Sequence, residues 1–175
     1  MQKRDFLSSL IDLQKINPAE LVDEKISMTY LHNYVNVLIQ MKNYDSAISM
    51  LENAISQSLV YSKSTSILNK IAYLYKQQGN KHLALEYYKM SLKINSKNLD
   101  ALINSSNLTQ DLGFSKSAHK IALKVKEFHH KYPDLTQPVV KTYFFQHDIK
   151  EAISEAKEMC SLNNYNTIHD LACNF

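Results

Sequence analysis

Glycine and proline are nearly missing from this chain, with two and three residues among 175. Strand-built folds need frequent turn residues, and no stretch alternates apolar and polar side chains over strand length, so an all-α fold is expected. With Gly79 and Gly113 the only glycines, there is no glycine-rich phosphate loop, dinucleotide fingerprint or nucleophile elbow. Neither catalysis nor a cofactor is expected. Cys160 and Cys173 are too few and too late to form a disulfide framework, which fits a reducing compartment. No apolar run approaches the roughly 20 residues of a membrane span. The run FLSSLIDL after Lys3 and Arg4 is broken by two serines and an aspartate, unlike a signal peptide. A soluble, cytoplasmic protein is expected.

Charge is unevenly spread. Residues 65–132 carry eleven lysines against four acidic side chains, a surplus of +7, whereas 1–64 carry six basic against seven acidic and 133–175 three against six. Lys89, Lys93 and Lys97, and likewise Lys116, Lys120 and Lys124, recur every four residues, as on the solvated face of a helix. An acidic partner is the alternative use of this patch. Nucleic acid is not the expected partner, because Arg4 is the only arginine and no exposed aromatics are interleaved with the lysines. His169 with Cys173, and His129 beside His130, offer too few ligands for a closed zinc site, so no metal is expected.

What the chain does have is a period. Gly79 and Ala84 return 34 residues later as Gly113 and Ala118, and Ala118 returns as Ala152. Spacing shared by otherwise unlike segments points to stacked units. The best-marked unit runs from Thr65 to Asn98. Small side chains at Ala72, Ala84 and Ser91 allow two helix backbones to approach, while Leu68, Ile71, Tyr75 and Tyr88 fill the flanks. Gly79, in the polar run QQGNK, ends the first helix of the pair without a β-carbon to obstruct a left-handed turn.

This unit resembles the tetratricopeptide repeat. Leu68, Ala72, Tyr75, Gly79, Ala84, Tyr88, Ser91 and Ile94 stand at that family's marked positions, with Ser96 where proline is usual. The resemblance implies a right-handed superhelical array of antiparallel helix hairpins. About four repeats are expected, over 28–64, 65–98, 99–132 and 133–166, with capping helices over 1–27 and a cap or tail over 167–175. In the first repeat Lys42 stands where glycine is usual, and three extra residues fall near 56–64. In the fourth, Pro138 places the start of the first helix near Gln137, and His147 occupies the turn. Asn17-Pro18-Ala19-Glu20 reads as the start of a capping helix.

In this family the first helices of the hairpins line a concave groove. Carried over position by position, that face holds His32, Asn33, Asn36 and Gln40, then Asn69, Lys70, Tyr73, Lys76 and Gln77. Ile103, Asn104, Asn107 and Gln110 follow, and then Lys141, Phe144 and Phe145. A carboxamide both donates and accepts, which suits the backbone of an extended segment. Asn33 and Asn104 share the position at which some family members carry a ladder of peptide-holding asparagines. The expected binding set is therefore Asn33, Asn36, Asn69, Lys70, Tyr73, Lys76, Asn104, Asn107, Lys141 and Phe144. A rival use is the carboxylate clamp of chaperone-binding members, to which Lys70, Lys76 and Asn107 would contribute without the clamp's arginine.

The resulting expectation is a non-enzymatic module that binds a segment of another protein in its groove, as scaffold, adaptor or chaperone. A bound segment or a second copy of the chain is expected to cover the strip formed by Tyr73, Ile103, Phe144 and Phe145. A narrower alternative is a bacterial type III secretion chaperone of the translocator class, which the run LQKINPAELVDEKISMTYLHNYVNVLIQMKNYDSAI resembles. A further alternative is a regulatory or nucleic-acid-associated protein using the basic middle.

Overall fold

Helix boundaries in this chain are set by side chains and turns that satisfy the backbone groups each helix leaves over. The computed structural model describes residues 24–128 and 148–162, together with 11–13, 15, 141–143 and 145. The regular elements among them are helices: α1 (Glu24–Gln40), α2 (Tyr44–Gln57), α3 (Leu59–Ser62), α4 (Thr65–Gln77), α5 (Lys81–Ile94), α6 (Leu99–Asp111), α7 (Ser115–Phe128) and α8 (Ile149–Leu162). The Asn17-Pro18 helix start, Pro138, His147 and the cap expected over 167–175 lie outside the described residues. Asn43, Ser64 and Asn98 cap α2, α4 and α6, their side-chain oxygens accepting from the N–H groups of Ser46, Ile67 and Ala101. Such a cap stabilises a helix by about 1 kcal/mol.

The other ends follow one pattern. After α1 the Asn43 N–H donates to the Leu38 carbonyl at 2.9 Å, and the Lys42 N–H to the Ile39 carbonyl at 2.9 Å. After α4, Asn80 reaches Tyr75 at 2.9 Å and Gly79 reaches Lys76 at 3.0 Å; after α6, Phe114 reaches Thr109 at 3.0 Å and Gly113 reaches Gln110 at 2.9 Å. This nested pair of bonds requires a left-handed residue inside it. Lys42, Gly79 and Gly113 supply it, with φ of 58°, 82° and 86°. Asp148 donates to Tyr143 in the same long bond at 3.1 Å. The donors 80, 114 and 148 are 34 apart, and 43 precedes 80 by 37. The three additional residues are accommodated by α3, a helix capped by Ser58, whose Oγ accepts from the Tyr61 N–H.

The chain divides into two compact units, Met1–Asn80 and Lys81–Phe175. In the first, α2 packs against both α1 and α4. Val35 of α1, Ala47 and Leu51 of α2, and Ile67, Leu68, Ile71, Ala72 and Leu74 of α4 are fully buried. Burying one such leucine or isoleucine contributes roughly 1.5–3 kcal/mol. Polar links bind the same helices: the Tyr75 hydroxyl of α4 donates to Glu52 Oε1 of α2 at 2.8 Å, and Gln78 donates to Asp45 at 2.6 Å. Burial and this bond to Glu52 push the Tyr75 phenol up to about 12.

In the second unit α6 packs against both α5 and α7. Small residues mark the approach: Ala84, Ser91, Ala101, Ser106, Ala118 and Ala122 are all fully buried. Ser106 Oγ of α6 donates to the Ala118 carbonyl of α7 at 3.0 Å, a side chain reaching backbone, which needs close contact between the two axes. His119 Nδ1 lies 3.0 Å from Thr142 Oγ1, and its ring sits 4.4 Å from that of Tyr143, attaching residues 141–143 to α7. In α8, Ala152 and Ala156 are buried. One expectation is corrected. Lys97 does not continue the lysine row of a helix, because α5 ends at Ile94 and the Lys97 N–H is held by Asn95 Oδ1 in the following turn.

Two stability outcomes follow. Ala118→Leu overpacks the α6–α7 crossing and is expected to cost about 1–3 kcal/mol in denaturant unfolding. An unchanged midpoint would contradict the close approach. Lys42→Gly relieves about 1–2 kcal/mol of left-handed strain against about 0.4–1 kcal/mol of added unfolded-chain entropy, leaving a net gain on the order of 0.5–1 kcal/mol. A lowered melting temperature would show that Lys42 is not strained.

Candidate peptide-binding face

In the first unit the candidate residues lie on α1 and α4. Both helices pack against α2. Asn33 and Asn36 of α1 are exposed, and Tyr73 of α4 keeps 42% of its surface exposed. Lys70 Nζ donates to Asn36 Oδ1 at 2.7 Å, joining α1 to α4 across this face. Burial lowers the Lys70 ammonium from its usual range. His32, half-buried on α1, is also lowered, first by burial and then by the Lys70 charge, and its Nε2 finds no hydrogen-bond partner among the described residues. Lys76 is half-buried, and Gln40 and Gln77 are exposed.

Asn69 departs from the expected arrangement. Only 8% of it is exposed, so it belongs to the packed side of α4 rather than to the open face. It stands between Leu68 and the face residue Lys70 and is buried as Ile67, Leu68 and Ile71 are.

In the second unit, Asn104 and Asn107 of α6 are half-buried, as is Ile103. Asn104 Nδ2 donates to its own helix, to the Asp100 carbonyl at 2.9 Å and to Asp100 Oδ1 at 2.8 Å, so a ligand has to compete with these bonds. Gln110 is not a face residue. It is 7% exposed, and its Nε2 donates to Ser115 Oγ at 3.0 Å, which ties the last turn of α6 to the first of α7. Lys141 is half-buried, with Nζ 3.9 Å from Asp111 Oδ1, while Lys81 approaches Oδ2 of the same carboxylate at 3.9 Å. Phe145 is 49% exposed. Phe144 lies outside the described residues. The candidate face of the first unit is polar, with Lys70 and the exposed ring of Tyr73, and that of the second carries Lys141 and the exposed ring of Phe145.

No group of three or more His, Cys, Asp or Glu able to hold a metal occurs among the described residues. His129, His130, His169 and Cys173 lie outside them. Among the described residues, no helix is long and apolar enough to cross a membrane. Sequence reasoning did not anticipate the bonds of Tyr75 to Glu52 and of Lys70 to Asn36.

Residues 26–97 match the family model described as Tetratricopeptide repeat. That stretch carries tetratricopeptide repeats, and the described residues have an all-α, helical-repeat fold. Among solved structures the chain is similar to YrrB, a tetratricopeptide repeat protein with an unusual peptide-binding site, at 15% identity and a TM-score of 0.73, covering 98% of this chain and 85% of that one. It is similar to MamA at 13% identity and a TM-score of 0.74, covering 99% and 87%. It is also similar to a tetratricopeptide repeat protein from Parabacteroides merdae at 20% identity and a TM-score of 0.77, covering 91% and 60%. At these identities the likenesses show the fold. No curated protein matches the chain significantly. The narrower resemblance to type III secretion chaperones finds no support in these matches.

The state of His32 provides a test of the α1–α4 face. Its two causes, burial first and Lys70 second, both favour the neutral ring in the folded chain. Its contribution to stability is therefore present above the usual imidazole value of about 6.5 and is lost as pH falls through the lower folded value. A titration followed by proton NMR should place the His32 midpoint below about 6.5. Lys70→Met should return it part of the way, and a midpoint at or above the usual value would rule out this account.

Proposed function

We propose that the protein is a cytoplasmic, non-enzymatic scaffold or adaptor that holds an extended segment of another protein against the first-helix faces of its repeats. The observation that carries this reading is the α1–α4 face. There an exposed carboxamide, Asn33, and an exposed aromatic, Tyr73, flank the bonded pair of Lys70 and Asn36. An extended segment presents alternating N–H and carbonyl groups, which carboxamides can answer regardless of side chain. A partly desolvated ammonium such as Lys70 adds a preference for carboxylates. Asn104, Asn107 and Lys141 are the corresponding set in the second unit, with Phe144 and Phe145 as apolar contacts. The peptide-binding site of YrrB supports the reading by likeness of fold.

The burial of Asn69 and the bonds of Asn104 to Asp100 narrow the set, leaving Asn33, Asn36 and Asn107 as the backbone-holding residues to test first. The full chain serves as bait for partners from its native host, and the captured segment is then made as a synthetic peptide for calorimetry. Asn36→Ala and Asn107→Ala are each expected to weaken binding by about 1 kcal/mol per lost hydrogen bond, whatever the peptide's charge. Lys70→Met and Lys76→Met are expected to weaken acidic peptides selectively and to flatten the salt dependence. Unchanged affinity in all four variants would place the site elsewhere.

A further inference from the structure

The outer side of α5 has a pattern that its role in the core does not require. Ala84, Tyr88 and Ser91 supply its buried line. Leu83, Tyr87, Met90 and Ile94 form a second line, spaced four, three and four residues apart. At 3.6 residues per turn these four fall within about 60° of one another, roughly a quarter of a turn from the buried line. Leu83, Met90 and Ile94 are 41%, 42% and 45% exposed, and Tyr87 is half-buried. The row thus runs the length of the helix on the surface.

Charge distinguishes its far side. Glu86 and Lys93 border the apolar row on that side, and Lys89, one turn from Lys93, lies beyond them; all three are exposed. Over 81–128 the chain holds eight lysines and four acidic residues, a surplus of +4. Three of those four are already engaged: Glu86 with Lys89 at 2.7 Å, Asp111 between Lys81 and Lys141, and Asp100 with Asn104. On α7, in the same unit, Lys116, Lys120 and Lys124 add an exposed row of their own.

A narrow apolar row at four-three-four spacing with charges along its edge is the geometry by which one helix receives another. The apolar residues form the seam, and the flanking charges select the partner. A row of about 60° is narrower than the broad apolar face of a helix that lies in a bilayer, and a nucleic acid has no use for one. We propose that α5 is a second docking surface, separate from the first-helix face, which takes an amphipathic helix of a partner protein whose apolar row is bordered by acidic residues. The site does not depend on the groove reading, since none of its residues lies on the first helices.

The test uses a fluorescently labelled synthetic helix of about 20 residues, with leucines at four-three spacing and glutamates along both edges. A second probe carries lysines in place of the glutamates. Anisotropy with the full chain is expected to show saturable binding of the acidic probe, weakened by salt and at least about tenfold tighter than that of the lysine probe. Lys89→Gln with Lys93→Gln should weaken it about three- to tenfold. Met90→Gln with Ile94→Gln should weaken it by at least about tenfold. These positions are exposed, and circular dichroism checks that the variants remain folded.

Absence of saturable binding overturns the proposal, as does binding indifferent to both α5 variants. Binding abolished by Asn36→Ala with Lys70→Met but not by the α5 changes also overturns it, since the probe would then occupy the first-helix face. Phosphatidylserine-containing vesicles and duplex DNA complete the set. Binding to either of them in preference to the acidic helix would reassign the lysines to that surface.

Discussion

The structure depends on a backbone requirement at the end of each first helix. An N–H group five residues along the chain must return to the carbonyl that starts the last turn, and the residue before it must be left-handed to permit this. Gly79 and Gly113 meet the requirement without strain, and Lys42 meets it with a β-carbon in place. No heavy atom lies within 4 Å of where a β-carbon would stand on either glycine, so torsion rather than crowding selects glycine there. Everything that recurs at 34 residues is registered to these turns.

Once the chain reverses, side-chain size decides how near the helices come. Ala118 offers its carbonyl to Ser106 because neither residue has bulk to keep the α6 and α7 backbones apart. The same economy limits what the core can do chemically, since small and aliphatic residues fill it and the charged groups are left on the surfaces. Asp111 is bracketed by two lysines, Glu86 is paired with Lys89, and Lys70 is turned onto Asn36.

Two kinds of surface result. The α1–α4 face mixes carboxamides, a partly buried ammonium and an aromatic ring, which suits contact with a main chain. The outer side of α5 sets a line of aliphatic side chains against lysines, which suits contact with the side chains of a helix. Their difference follows from helix position: α4 lies across from α1 in its unit and shares polar contacts with it, whereas the exposed row of α5 lies off the line by which α5 enters the core.

The sequence by itself determined the all-α class, the period and the positions of the turns. Those features are local, since a left-handed torsion, a capping Asn or Ser and an alanine at a crossing are each recorded at the residue that needs them. It was also sufficient to place an insertion near 56–64, though not to show that the extra residues would coil into α3, which depends on the cap at Ser58. Only the tertiary structure decided which side chains of the first helices face outward. Asn69 and Gln110 carry the same polarity as their exposed neighbours, yet both are buried. Burial is set by contacts between residues distant in sequence, of which Tyr75 with Glu52 and Lys70 with Asn36 are examples, so no single segment could disclose it.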